Sequence, residues 1–176
     1  MTEFLYAPWR EEFILGPKEQ GCIFCAPETH RGIRDLILHR GKHAFVVLNR
    51  YPYNSGHLMI VPSRHVANLE DLSEAERNEI MSLIALSSQV LNETLKPEGM
   101  NLGMNMGRAG GAGIADHLHV HIVPRWMGDT NFMPALFKTR IVSVSLPNVC
   151  RKLKASFKRS TRRSASARGP NRRRSD

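Results

Sequence analysis

HLHVHIVPRW, residues 117–126, places a histidine at every second position and fills the gaps with Leu118, Val120 and Ile122. Polar and apolar residues that alternate over this length mark a half-buried strand. Side chains two apart on a strand share a face, so His117, His119 and His121 form one row and the three aliphatic residues face a core. A helix would turn successive histidines by about 200° and serve no common site. The row is too long for a single ion. At a rise of about 3.3 Å per residue, His117 and His121 lie roughly 13 Å apart, while a metal wants each nitrogen within about 2.1 Å. The three imidazoles must divide their work.

The flanking sequence supplies the remaining elements. DLILHR, AFVVLNRYPYN and HLMIVPSRH read as strands, the last two joined as a hairpin through the turn at 49–55. In DLSEAERNEIMSLIALSSQVLNETLKPEG, Ser73 and Glu76 form a capping box. Ile80, Leu83, Ile84, Leu91 and Leu95 make an apolar stripe, and Pro97 and Gly99 stop the helix. NLGMNMG gives another strand, and TRIVSVSLPNVCRKLKASF adds a strand and a short helix. The expected fold is α+β, an antiparallel sheet with one long helix packed on it.

At 176 residues and 41% hydrophobic composition, the chain suits one globular domain with its own core. No apolar run approaches membrane-spanning length and the N-terminus lacks a signal-peptide pattern. With three cysteines and no such signal, a reducing cytoplasm is expected rather than a disulfide framework. The net charge of +9 is unevenly placed. Residues 151–176 carry eleven Lys or Arg and one acid, whereas residues 1–150 carry fourteen bases and fifteen acids. The domain is therefore assigned to 1–150. Residues 151–176 form a basic extension, expected to be disordered beyond about 157, that suits nucleic acid or another acidic surface, or is simply solvated.

Three features can carry chemistry. GCIFC, residues 21–25, is either half of a zinc site, a redox pair or two reduced thiols; zinc would need two more ligands, with His65 and one triad member as candidates. NMGRAGGAGIAD, residues 105–116, is rich in glycine, Gly111 and Gly113 among them, and reads either as an anion nest built from backbone N–H groups or as a tight connection. It is not a nucleoside-triphosphate P-loop, since no GK[ST] follows. The triad itself suits phosphoryl or nucleotidyl transfer: a neutral imidazole attacks phosphorus, and a second one orients or protonates the groups around it. The middle histidine, His119, is the expected nucleophile.

HLHVHIV, together with APWREEF, GCIFC, FVVLNRYPYNSGHLMIVPSRH, NMGRAGGAGIADHLHVHIVPRW and GDTNFMP, resembles the histidine triad (HIT) superfamily of nucleotide hydrolases and transferases. APWR with CIFC and the PRWMGDTNFM ending are similar to the bacterial diadenosine tetraphosphate phosphorylase-like branch. The resemblance implies that His119 attacks an α-phosphate to form a nucleotidyl-histidine, and that His121 contacts that phosphate and the departing group. It further implies a structural zinc held by Cys22, Cys25, His65 and His117, a ribose contact at Asn49, a phosphate contact at Asn105, and a homodimer. His57 reads either as a supporting hydrogen-bond partner or as a packed histidine. Where many members carry Gln, Ser or Thr in the last glycine segment, this chain has GGAGIAD, which leaves backbone N–H groups at Gly111 and Gly113, or Arg108, to take that place. The implied activity is cleavage of a nucleotide phosphoanhydride, with phosphorolysis of diadenosine tetraphosphate to ADP and ATP favoured and no organic cofactor. A nucleoside phosphoramidate hydrolase is the alternative enzyme. A zinc-stabilised module that binds nucleotide or nucleic acid is the alternative outside enzymology.

Overall fold

The computed structural model describes residues 21–25, 27–28, 30–129 and 144–167. Its elements are α1 (Arg31–Arg34), β1 (Ile37–Arg40), β2 (Ala44–Leu48), β3 (Leu58–Pro62), α2 (Glu74–Leu95), β4 (Gly99–Met104), β5 (Val120–Arg125) and α3 (Leu146–Ala167). The five strands form one sheet in the order β1-β2-β3-β5-β4, antiparallel at every pairing. This is the expected α+β sheet with its long helix. The APWR and TNFMP motifs, and the strand expected near 139–145 apart from its last two residues, lie outside the described residues.

Strand periodicity sets the two faces. Along β2 and β3, Val46, Leu48, Leu58 and Ile60 point toward the helices and join Leu118, Val120 and Ile122 in the main core. Phe45, Val47, Met59 and Val61 point the other way and pack with Phe24 and Ile33. All residues of β2 and β3 are buried, which explains why these strands read as continuous apolar runs. Each fully buried aliphatic side chain contributes about 1.5–3 kcal/mol, so the sheet is held from both sides.

Helix α2 begins with the expected capping box: the Ser73 hydroxyl accepts from the Glu76 N–H and the Glu76 carboxylate accepts from the Ser73 N–H. Arg64 clamps the same carboxylate at 3.0 and 2.8 Å. The helix ends at Lys96, which takes a left-handed conformation at φ 49°. Farther along α2, the Glu79 carboxylate accepts from the backbone N–H groups of Lys42, His43 and Ala44 and so fixes the start of β2.

Two elements differ from the sequence expectation. Strand β5 starts at Val120, so His117 and His119 precede the ladder. The cause is Pro62 at the end of β3, which has no N–H to offer; its carbonyl instead accepts from His117 Nε2 at 2.9 Å, and the Leu118 N–H turns to Val66. The second difference is α3, which runs to Ala167 where disorder is expected beyond about 157. Its Val149, Leu153 and Phe157 belong to the main core, and it packs on α2 and β1. No helix among the described residues is long and apolar enough to cross a membrane.

Candidate active site and an adjoining metal-binding cluster

The triad lies on the face of the sheet opposite α2 and α3. His117, His119 and His121 are 0%, 5% and 9% exposed, so their protonation is governed by neighbours rather than by water. Each ring has a distinct set of partners.

His119 Nδ1 lies 2.9 Å from the carbonyl oxygen of His117. A carbonyl can only accept, so Nδ1 carries the proton and Nε2 holds the lone pair. Burial lowers the pKa of His119, partly offset by that carbonyl, and leaves a neutral ring at pH 7. The ring rests against Phe24, with centroids 5.4 Å apart.

His121 is set by a chain of bonds that begins on the β2–β3 hairpin. The Tyr53 N–H donates to His57 Nδ1 at 3.0 Å, and Asn49 Nδ2 lies 3.3 Å from the same atom. His57 therefore carries its proton on Nε2, which donates to His121 Nδ1 at 2.9 Å. Neutral His121 must then hold its own proton on Nε2. That atom is buried and has no hydrogen-bond partner among the described residues, a condition that costs about 1–3 kcal/mol and marks a site built for an incoming acceptor. Burial first, then the neighbouring His121 and His119, pushes His57 down to about 3. Burial and His119 push His121 down to about 4.

Local sequence explains the placement of His57. The turn residue Gly56 sits at φ +80°, and a Cβ there would meet the Leu95 side chain at 2.4 Å. Only glycine lets the hairpin pass this close to the end of α2 and deliver a wholly buried His57 just ahead of β3. Across from His121 on β4 stands Gly103, which leaves that flank open.

The resulting cleft is lined by His121, Asn105, Tyr53, Asn101, Arg125 and Asp129. Arg125 forms a fork with Asp129 at 2.6 and 2.7 Å and also donates to Asn101. Asn54 donates to Asp129 and to the Pro124 carbonyl, tying the hairpin to the end of β5. Asn105 thus lines the same cleft as His121. Asn49 is turned inward: its Oδ1 accepts from the Tyr51 N–H and its amide supports His57. The Gly111 N–H is used within its own turn, donating to the Arg108 carbonyl, and Gly111 and Gly113 are exposed outside the cleft lining. The backbone of Gly111 is therefore not presented to an anion in this arrangement.

Sequence reasoning left His57 undecided and missed Tyr53, Arg125 and Asp129. The available signal was the pair of residues that flank the strands, NRYPYN on one side and PRWMGD on the other, which meet only once β3 and β5 are adjacent.

The metal candidates converge at the start of the histidine segment. Cys22 Sγ is 3.2 Å from His117 Nδ1, Cys25 Sγ is 3.0 Å from His65 Nδ1, and Cys25 Sγ is 3.6 Å from His117 Nδ1. All four donor atoms lie within 4.8 Å of one another. The His117 bond to Pro62 keeps the proton on Nε2 and turns the Nδ1 lone pair toward the thiols, the arrangement that orients a histidine ligand. The cluster can hold a metal ion.

The HIT domain family model matches residues 31–127, more than half of the chain. An AP-4-A phosphorylase of Mycobacterium tuberculosis is 42% identical over 124 residues, which cover 70% of this chain and 64% of that protein. The chain therefore spans less than two thirds of the length of that relative. Among solved structures, a hypothetical histidine triad nucleotide-binding protein from Sulfolobus tokodaii strain7 superposes with a TM-score of 0.66 at 26% identity, over 81% of this chain and 95% of that one. A Zn-bound histidine triad family protein from Mycobacterium smegmatis shares the fold, with a TM-score of 0.66 at 21% identity over 81% of this chain and 97% of that one. The sheet order, the buried imidazole row and these matches agree that the chain belongs to the HIT domain family.

Proposed function

We propose that this protein is a nucleotidyl transferase that cleaves nucleotide phosphoanhydrides at the α-phosphate, with diadenosine tetraphosphate and inorganic phosphate as its favoured pair. The observation that carries this reading is the opposed tautomers of two neighbouring imidazoles. His119 offers a lone pair at Nε2, fixed by the His117 carbonyl, and His121 offers a proton at Nε2, fixed by His57. Their ring centroids are 4.8 Å apart. One donates electrons to phosphorus while the other hydrogen-bonds the oxygen that develops charge.

In the first step the His119 Nε2 lone pair forms a bond to the α-phosphorus, and the bond to the bridging oxygen breaks. ATP departs and adenylyl-His119 remains. His121 Nε2–H donates to the phosphoryl or leaving oxygen, supported through His57 by the rigid Tyr53 backbone. In the second step a phosphate oxygen attacks the same phosphorus, releasing ADP and restoring neutral His119. Asn105 stands at the mouth of the cleft as a phosphate contact. The 42% identity to a protein named AP-4-A phosphorylase supports phosphate as the acceptor.

We also read the four-residue cluster as a structural zinc site. Tetrahedral zinc with Zn–S near 2.3 Å and Zn–N near 2.05 Å needs sulfur–nitrogen separations of about 3.5 Å; three of the four are 3.0–3.6 Å, and all four donor atoms lie within 4.8 Å of one another. Cys22, Cys25, His65 and His117 would fill all four positions, so the ion would tie the CxxC segment to the sheet and take no substrate. The homodimer that the family resemblance implies is supported by β4, at the edge of the described sheet, whose Leu102 and Met104 are exposed beside Met106.

The test is a product assay with diadenosine tetraphosphate, run with and without phosphate. ADP and ATP formed only with phosphate support the proposal. AMP and ATP formed regardless of phosphate make the acceptor water, and turnover of adenosine phosphoramidates alone favours the alternative hydrolase.

A further inference from the structure

Helix α3 has a face that nucleotide turnover does not use. Its 22 residues contain seven Lys or Arg and no Asp or Glu. At about 100° per residue, Arg151, Lys152, Lys158, Arg159, Arg162 and Arg163 fall within an arc of roughly 140°, and all are exposed. Val149, Leu153, Ser156, Phe157 and Ser160 occupy the opposite arc and are buried. The helix is pinned to the body by a 2.8 Å bond from Thr94 to Ser156 and by Lys154 Nζ donating to the Asp35 carbonyl at 2.6 Å. The charge is therefore displayed on a fixed ridge rather than spread through a loose chain.

We propose that this ridge binds the phosphate backbone of double-stranded nucleic acid without reading its sequence. Charge complementarity carries the assignment. From Arg151 to Arg162 the ridge extends about 16 Å, a length over which duplex DNA presents a charge roughly every 1.7 Å of axis. The other acidic surfaces fit less well. A lipid-binding amphipathic helix inserts its apolar face, and here that face is consumed by the core. The exposed arc holds nothing more apolar than Ala155. Single strands are held largely by stacking on aromatic rings, and the arc has none. A mononucleotide needs a concave site, whereas this surface is a convex ridge.

The experiment is fluorescence anisotropy of the full chain with a labelled duplex of about 20 base pairs, titrated between 50 and 300 mM salt. The expected log–log salt slope is about −4 to −5, which corresponds to roughly five phosphate contacts. The variant Lys152→Gln/Lys158→Gln/Arg162→Gln should flatten the slope by nearly three and weaken binding about tenfold or more at 100 mM salt. Its melting temperature and nucleotide turnover should match the parent, since these side chains touch neither core nor cleft. Lys158→Gln alone should flatten the slope by about one. No duplex binding at 50 mM salt, tighter binding to a single strand of equal length, capture only by phosphatidylserine vesicles, or a slope unchanged in both variants would each overturn the proposal. None of these outcomes depends on whether His119 is a nucleophile.

Discussion

Acidification should destabilise this protein through His57 by an amount that can be worked out. The group is 0% exposed and its pKa is pushed down to about 3, from 6.5 in an unfolded chain. Below pH 6.5 the unfolded state takes up a proton that the native state refuses until about pH 3. The stability associated with neutral His57 is thus complete above 6.5 and is lost progressively as pH falls toward 3. Each pH unit in that window costs about 1.4 kcal/mol, so moving from pH 7 to pH 5 removes about 2 kcal/mol for this residue alone. His57→Gln keeps a polar side chain and abolishes the titration. Urea unfolding of both proteins at pH 7, 6 and 5 gives the comparison. The gap in unfolding free energy between parent and variant should narrow by about 2 kcal/mol between pH 7 and pH 5. His121 is held down by burial and His119 rather than by His57, so its own contribution appears in both proteins and cancels. Two curves that stay parallel from pH 7 to 5 would refute a buried, neutral His57 and with it the tautomer assigned to His121.

His119→Ala should abolish the trapped adenylyl adduct and reduce kcat by about 10⁴-fold or more, a loss of the size seen when a nucleophile acting in a unit is removed; an intact adduct on intact-mass spectrometry would move the nucleophile elsewhere. Metal analysis of undepleted protein should give about one zinc per chain, and Cys25→Ser should lower both zinc content and melting temperature; under half an equivalent in the parent favours two reduced thiols. Phe157→Ala should cost about 3–5 kcal/mol of stability, because its ring is 1% exposed and stacks on His39; a loss below 1 kcal/mol by urea titration would mean that α3 is not docked on the core.

The sheet and helix α2 were legible because their signals are local. Alternation in residues 117–122 separates the two faces, and Ser73 with Glu76 marks the helix start within four residues. The donor set of the metal cluster was legible in part: the CxxC spacing pointed to His65 and one triad histidine as further ligands, and the family resemblance singled out His117; Cys25 and His65 are forty residues apart and meet only by folding. The His57–His121 bond spans sixty-four residues and has no local signature. The length of helix α3 escaped for a different reason. Its buried stripe continues past Phe157 as Ser160, preceded by Ser156, and small hydroxyl residues in a basic segment hide a hydrophobic period. Both serines are buried, at 0% and 3% exposure. The start of β5 was misplaced because the effect of Pro62 acts across strands rather than along them.

The two ends of His117 serve different masters. Its imidazole sits with the cysteines, and its backbone oxygen holds the proton of neighbouring His119. Any amino acid at this position would supply that oxygen, but only a tethered side chain fixes where it points. A descendant of this protein that gave up the cluster would therefore be free to change Cys22, Cys25 and His65, yet would have to find a new anchor at position 117 to keep that oxygen in place. Bulky packing against Phe24, already 5.5 Å from this ring, offers such a route. The order of substitutions is thereby constrained: the replacement anchor must come first and the loss of the cysteines second.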